Sequence, residues 1–206
     1  MPHAIEELEA PPIMVQTSPV IELDDDSLLR FCQINRELRI ERTADGKLII
    51  MSPEGGSGGL GNAELIQVFG NWAKRDGTGR VFGSSAGFIL PNKAMRAPDV
   101  SWVLKERLAR LTKEELKKFL PLCPDFVLEL RSESDSIGVL KAKMEEYMAN
   151  GARLGWLLDP VRKQAHIYRP KKRPEILTNP AKISGEPLLK GFVLDLPAIW
   201  AAMEGR

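Results

Sequence analysis

PDFVLELR, residues 124–131, is an apolar strand with one acid set into it. Side chains alternate across a strand, so Phe126, Leu128 and Leu130 face one side while Val127, Glu129 and Arg131 project to the other. Burying a carboxylate costs several kcal/mol unless it is paired or bound to a cation, so Glu129 needs a partner. Arg131, on the same face, is one. Asp99 is another, in PDVSWVL (98–104), where Val100 and Trp102 face one way and Asp99 and Ser101 the other. Neighbouring strands lie about 4.8 Å apart, so adjacency would let Asp99 and Glu129 converge on one ion. Asp125 stands about 13 Å from Glu129 along the strand, too far to share it. Two converging carboxylates suit a hard ion such as Mg²⁺, which keeps several waters and takes further ligands from substrate phosphate.

Downstream, 136–151 (SIGVLKAKMEEYMANG) reads as a helix with Asp135 or Ser136 at its start, Gly151 at its end, and Leu140, Met144, Tyr147 and Met148 as its apolar face. LGWLLD (154–159) and AHIYR (165–169) read as strands. Upstream, a Thr-capped helix is expected from about Thr112 to Phe119, and a strand in GFILPN (87–92). In GNAELIQVFGNWAKRDG (61–77), Leu65, Val68, Phe69 and Trp72 recur at helical spacing. SPEGGSGGLG (52–61) before it reads as a flexible loop, and it lacks the Gly-Lys-Ser/Thr ending of a nucleotide-binding loop. ELRIER and KLIIMS flank TADG (43–46), a hairpin signal, and DDDSLLRFCQIN (24–35) reads as a short helix. The pattern is mixed α/β, with helices before and after central strands.

The 206 residues suit one domain, expected over 24–206 behind an acidic arm at 1–23. Net charge is +1, but residues 1–26 hold seven acids and no Lys or Arg, so 27–206 carry +8. The segment 161–191 holds eight Lys and Arg against two Glu, and PKKRP (170–174) within it reads as a solvated loop or, alternatively, as a phosphate-contacting patch. Two cysteines and two histidines leave too few ligands for zinc, and nucleophilic chemistry would have to use His166, an ordinary strand residue. Catalysis is therefore expected from carboxylates, lysine or arginine. No apolar run approaches the ~20 residues of a membrane span, and the acidic N-terminus is unlike a signal peptide, so the expected location is the cytoplasm.

RAPDVSWV (96–103), PDFVLELRSESDS (124–136) and LKAKMEEYMANGARLGWLLDP (140–160) together resemble the Uma-two-type restriction endonucleases of the PD-(D/E)xK nuclease superfamily. The likeness runs from about Asp24 to LDLPAIW (194–200). It implies an α/β, restriction-endonuclease-like core: a central mixed β-sheet flanked by helices, here with an additional N-terminal helix and hairpin. Asp99 matches the motif aspartate and Glu129 the acid of the next strand. Arg131 stands where the superfamily has lysine. A guanidinium stays protonated, so it can grip a phosphate oxygen but is a poor base. The lysine is then expected from the following helix, where geometry leaves Lys141 and Lys143 equal; Lys143 matches the K-x-x-EY pattern of the family. The resemblance also implies the Leu130 carbonyl as a metal ligand and, more weakly, Glu64 as an additional acid near the metal. Asp135 reads as a helix cap.

The resemblance implies a Mg²⁺-dependent endonuclease, with Mn²⁺ as a substitute, acting on DNA and suited to a homodimer because a duplex has two strands to cut. The rival is a catalytically inactive nuclease-fold domain that binds nucleic acid or a protein partner, a reading that the Arg131 departure and the small net charge favour.

Overall fold

The computed structural model describes residues 12–205. In chain order, β1 (Ile13–Val15), α1 (Asp25–Ile34), β2 (Arg39–Arg42), β3 (Leu48–Met51), α2 (Gly56–Asp76), β4 (Gly79–Gly83), β5 (Phe88–Ile89), β6 (Met95–Arg96) and β7 (Val100–Leu104) lead to the short α3 (Lys105–Leu108). Then come β8 (Phe126–Leu130), α4 (Ile137–Ala149), β9 (Leu154–Asp159), β10 (Gln164–Tyr168), β11 (Glu175–Thr178), β12 (Lys182–Ser184), β13 (Val193–Asp195) and α5 (Leu196–Met203).

The central sheet has the order β11-β10-β9-β8-β7-β4. β8 and β9 are parallel, joined by the crossover helix α4, and the other pairs are antiparallel, so the sheet is mixed as expected. Alternation decides its two faces. Val100, Trp102, Phe126, Leu128 and Leu130 pack with Leu65, Phe69 and Trp72 of α2 and Ile199 and Trp200 of α5. Val103, Val127 and Leu157 on the other face pack with Leu140, Met144 and Tyr147 of α4.

A second sheet, β1-β3-β2-β6-β5, carries its own small core of Leu28 from α1 with Ile40, Leu48, Ile89 and Met95. The hairpin turn between β2 and β3 needs a left-handed residue, and Gly46 supplies it at φ +87°. Asp24 caps α1 by accepting from the Ser27 amide at 2.7 Å. No helix among the described residues is long and apolar enough to cross a membrane.

Three local expectations change. The glycine-rich run is the first two turns of α2, not a loop. Glycine is a poor helix former, but a Cβ at Gly61 would stand 2.7 Å from Met203 Cγ and 2.8 Å from Leu130 Cδ2. Close seating of α2 on α5 and β8 thus outweighs local propensity. The helix expected at 112–119 is a single 3₁₀ turn, Glu115–Lys117, although its start carries reciprocal Thr112–Glu115 capping bonds. It stops because Leu120 is drawn into extended pairing with Gly87 and Ile89. Of the acidic arm, residues 1–11 lie outside the described residues, while Ile13–Val15 form an edge strand paired with β3.

Candidate active site

The register Val100↔Leu128 carries Asp99, one residue before β7, to the position opposite Glu129. Asp99 Oδ2 accepts from the Leu130 amide at 2.8 Å, which fixes the carboxylate against β8. Glu129 points from the β8 face that α4 covers. Its Oε1 accepts from Tyr147 Oη at 3.0 Å and from Lys143 Nζ at 2.9 Å. Lys143 and Tyr147 lie four residues apart, and so one above the other on α4. Lys141 instead belongs to the surroundings of His166, whose imidazole is lowered first by burial and then by the charge of Lys141. The choice that helical geometry leaves open is thus made by packing: Lys143 is the lysine at the carboxylates.

Glu41 is the residue that reading the sequence missed. It lies on β2, buried, and its Oε1 accepts from Lys143 Nζ at 2.8 Å and from the Ala97 amide at 3.0 Å. Its Oε2 meets Arg96 Nη1 at 3.0 Å, and Arg96 Nε reaches Glu146 Oε2 at 2.6 Å. The signal was available: an acid inside the short strand RIER raises the same question of a partner as Glu129 inside PDFVLELR. Tyr147, assigned to an apolar face, is also part of this network through its hydroxyl.

The electrostatics follow from burial. Desolvation pushes the Asp99 carboxyl up to about 6, against the pull of the Leu130 amide and Lys143. Desolvation also raises Glu129, and Lys143 only partly offsets it. Burial by itself would lower the Lys143 ammonium, but Glu129 and Glu41 outweigh it and hold the group protonated. Glu41 ends below the ordinary carboxylate range because Lys143 and Arg96 overcome its desolvation. Asp99 and Glu129 are therefore the undercompensated acids of the cluster.

Two undercompensated carboxylates at adjacent strand positions fit a hard cation that keeps most of its waters, with Asp99 and Glu129 as the protein oxygens. Among the described residues no group of three or more His, Cys, Asp or Glu is arranged to hold an ion, so this is an open donor set. Glu64, half-buried on α2, makes no hydrogen bond or ion pair to Asp99, Glu129 or Lys143. The acid from this part of the chain that Asp99 feels is Glu54.

Arg131 is not the partner of Glu129. It lies just past the end of β8, donates to both carboxylate oxygens of the buried Asp159 at 3.1 and 3.2 Å, and binds the Asp135 carbonyl through Nε. It lines a cleft of about 660 Å³ with Ser57, Lys163 and Trp200, and Asp99, Glu129 and Lys143 are not among the residues lining that cleft. Asp135 does not cap α4; its carboxylate accepts from the Ser132 amide and hydroxyl, closing the turn before the helix. Asp125 accepts from the Leu104 amide and pairs with Arg107 at the far end of β8.

A family described as "putative restriction endonuclease", Uma2, matches residues 25–197. Among solved structures, a putative nuclease belonging to DUF820 from Anabaena variabilis ATCC 29413 is similar, with a TM-score of 0.68. The match has 18% identity and covers 80% of this chain and 90% of that one, a likeness of fold. No curated protein matches the chain.

Proposed function

The chain belongs to the Uma2 family of putative restriction endonucleases, and from that membership we propose that it hydrolyses DNA phosphodiester bonds at Asp99 and Glu129 with the help of a divalent cation. The observation that carries this reading is the pairing of Asp99, fixed by the Leu130 amide, with Glu129, which shares its Oε1 between Tyr147 and Lys143.

Asp99 and Glu129 would hold Mg²⁺ or Mn²⁺, with the Leu130 carbonyl as a further ligand, and the cation would supply charge stabilisation at phosphorus and a more acidic water. Lys143 is held protonated, so it does not act as the base. An ammonium has three hydrogens, two of which go to Glu41 and Glu129; the third can meet a phosphoryl oxygen or orient the attacking water. Tyr147 fixes the rotamer of Glu129. Arg131 is committed to Asp159 at the neighbouring cleft.

The test is cleavage of supercoiled and linear DNA in Mg²⁺ or Mn²⁺ by the wild type, Asp99→Asn and Glu129→Gln. Loss of cutting in both variants, with unchanged folding, supports the proposal; equal activity in all three assigns the cutting to a contaminant.

A second reading is a nuclease-fold domain that binds nucleic acid without cutting. The donor set of two acids among the described residues favours it. Wild-type DNA binding without cleavage in either cation would select it.

A further inference from the structure

β2 brings a second residue to this site. Arg39 and Glu41 share one face of the strand, opposite Ile40 and Arg42. Arg39 Nη1 is held by Glu54, which Asn62 Nδ2 fixes in turn at 2.8 Å. Arg39 Nη2 lies 3.6 Å from Asp99 Oδ1, the carboxylate oxygen that the Leu130 amide leaves unengaged. That separation is too long for a hydrogen bond but short enough for ionic attraction.

The cations around the site differ in whether they can leave. Arg96 is shared by Glu41 and Glu146, Lys143 by Glu41 and Glu129, and Arg131 serves Asp159. Departure of any of these would strand a buried charge. The side chain of Arg39 is 33% exposed and that of its firm partner Glu54 26%, so water can replace what Arg39 gives up. Its planar fork carries five N–H donors, a match for two oxygens of a phosphate.

We propose that Arg39 is a substrate-binding residue: it stands near Asp99 Oδ1 as a counter-charge in the free protein and moves to a phosphate oxygen of the nucleic acid when a divalent cation takes its place. The inference rests on the nuclease reading of the site and adds to it a coupling between cation and substrate. Two cations compete for one carboxylate oxygen. Losing Arg39 should therefore help the divalent ion and harm nucleic-acid binding, whereas loss of a merely structural contact would weaken both.

The experiment uses the full chain, with Arg39→Ala and Arg39→Lys beside the wild type. Mn²⁺ affinity without nucleic acid is measured by titration with electron paramagnetic resonance. Binding of a labelled DNA duplex in Ca²⁺ is measured by anisotropy at several salt concentrations. The expected result for Arg39→Ala is several-fold tighter Mn²⁺, about tenfold weaker DNA binding, and a salt slope smaller by about one. Arg39→Lys keeps a cation but not the fork, so it should recover part of the DNA affinity with a smaller gain in Mn²⁺ binding; it also serves if the alanine variant does not fold. Unchanged or weaker Mn²⁺ affinity, or an unchanged salt slope, overturns the proposal. If the wild type cuts DNA and the variants behave like it, the role of Arg39 fails and the nuclease reading stands. If the wild type neither binds nor cuts DNA with any cation, both fail.

Discussion

Glu41 and Glu129 lie on different sheets and share one ammonium: Lys143 Nζ stands 2.8 Å from Glu41 Oε1 and 2.9 Å from Glu129 Oε1. Both acids are buried, so neither can turn to water if the ammonium is lost. Lys143→Met keeps the length of the side chain and removes the charge. It should destabilise the fold by about 3 kcal/mol, the low end of the cost of removing one partner of a buried pair, because Arg96 still pairs with Glu41 and Glu129, already raised by burial, can take up a proton. Urea unfolding checks this, and the same variant should lose DNA cutting at least a hundredfold.

Glu41→Gln is milder, because the amide oxygen can still accept from Lys143 and the Ala97 amide. A stability loss of about 1–3 kcal/mol is expected from the weakened bond to Lys143 and the lost bond to Arg96, which would face the amide NH2. Single-turnover cleavage should fall about tenfold with little change in DNA affinity, since Glu41 positions Lys143 and does not face substrate. A drop in affinity instead, at constant turnover, would contradict that assignment.

Asp99 sets a pH dependence. Its folded carboxyl is pushed by burial from 3.8 to about 6, so the folded state holds the proton more tightly than the unfolded chain. Its contribution to stability is therefore present below about pH 4 and is lost as pH rises through about 6; the upward shift of Glu129 acts in the same direction. Asparagine does not ionise and can still accept from the Leu130 amide. Melts in EDTA should show Asp99→Asn more stable than wild type by about 2 kcal/mol at pH 8, with the gain vanishing near pH 4. Mg²⁺ should raise the wild-type melting temperature at pH 8 and leave the variant unmoved.

How much of this was legible follows from which contacts are local. The faces of β7 and β8 could be read directly, because alternation of Phe126, Leu128 and Leu130 against Val127 and Glu129 is a property of one strand. Lys143 needed the family pattern, since Lys141 and Lys143 flank the same apolar stripe. Glu41 signalled its need of a partner but not which one, because that depends on a second sheet docking against α4 across about a hundred residues of chain. Arg131, offered as one of two possible partners of Glu129, turns elsewhere for a related reason: it lies beyond the last residue of β8, where alternation no longer governs direction, and Asp159 at the end of the parallel neighbour claims it. The glycine run misled because its helix is stabilised by what Gly61 lets approach, a contact with residues as distant as Met203.

Arg131→Ala should separate folding from activity. It leaves the buried Asp159 with the Arg162 amide at 3.2 Å and the Arg162 guanidinium only at 4.0 Å, and a loss of about 3 kcal/mol is expected. Mn²⁺ affinity at Asp99 and Glu129 should not change, and cutting of the folded fraction should stay within about tenfold of wild type.

Gly61→Val would test the seating of α2. Its β-carbon would already press on Leu130, whose amide holds Asp99, so the cost should exceed the 1–3 kcal/mol typical of overpacking and cation affinity should fall with it.

The second sheet makes the cluster of acids and lysine conditional on completeness. A chain in which only β7, β8 and α4 have assembled already carries Asp99, Glu129 and Lys143, yet it lacks the second acid that pins the lysine and the arginine that faces the carboxylate mouth. The cluster is thereby finished only when residues 39–41 of the second sheet have docked against α4 and the β7–β8 edge.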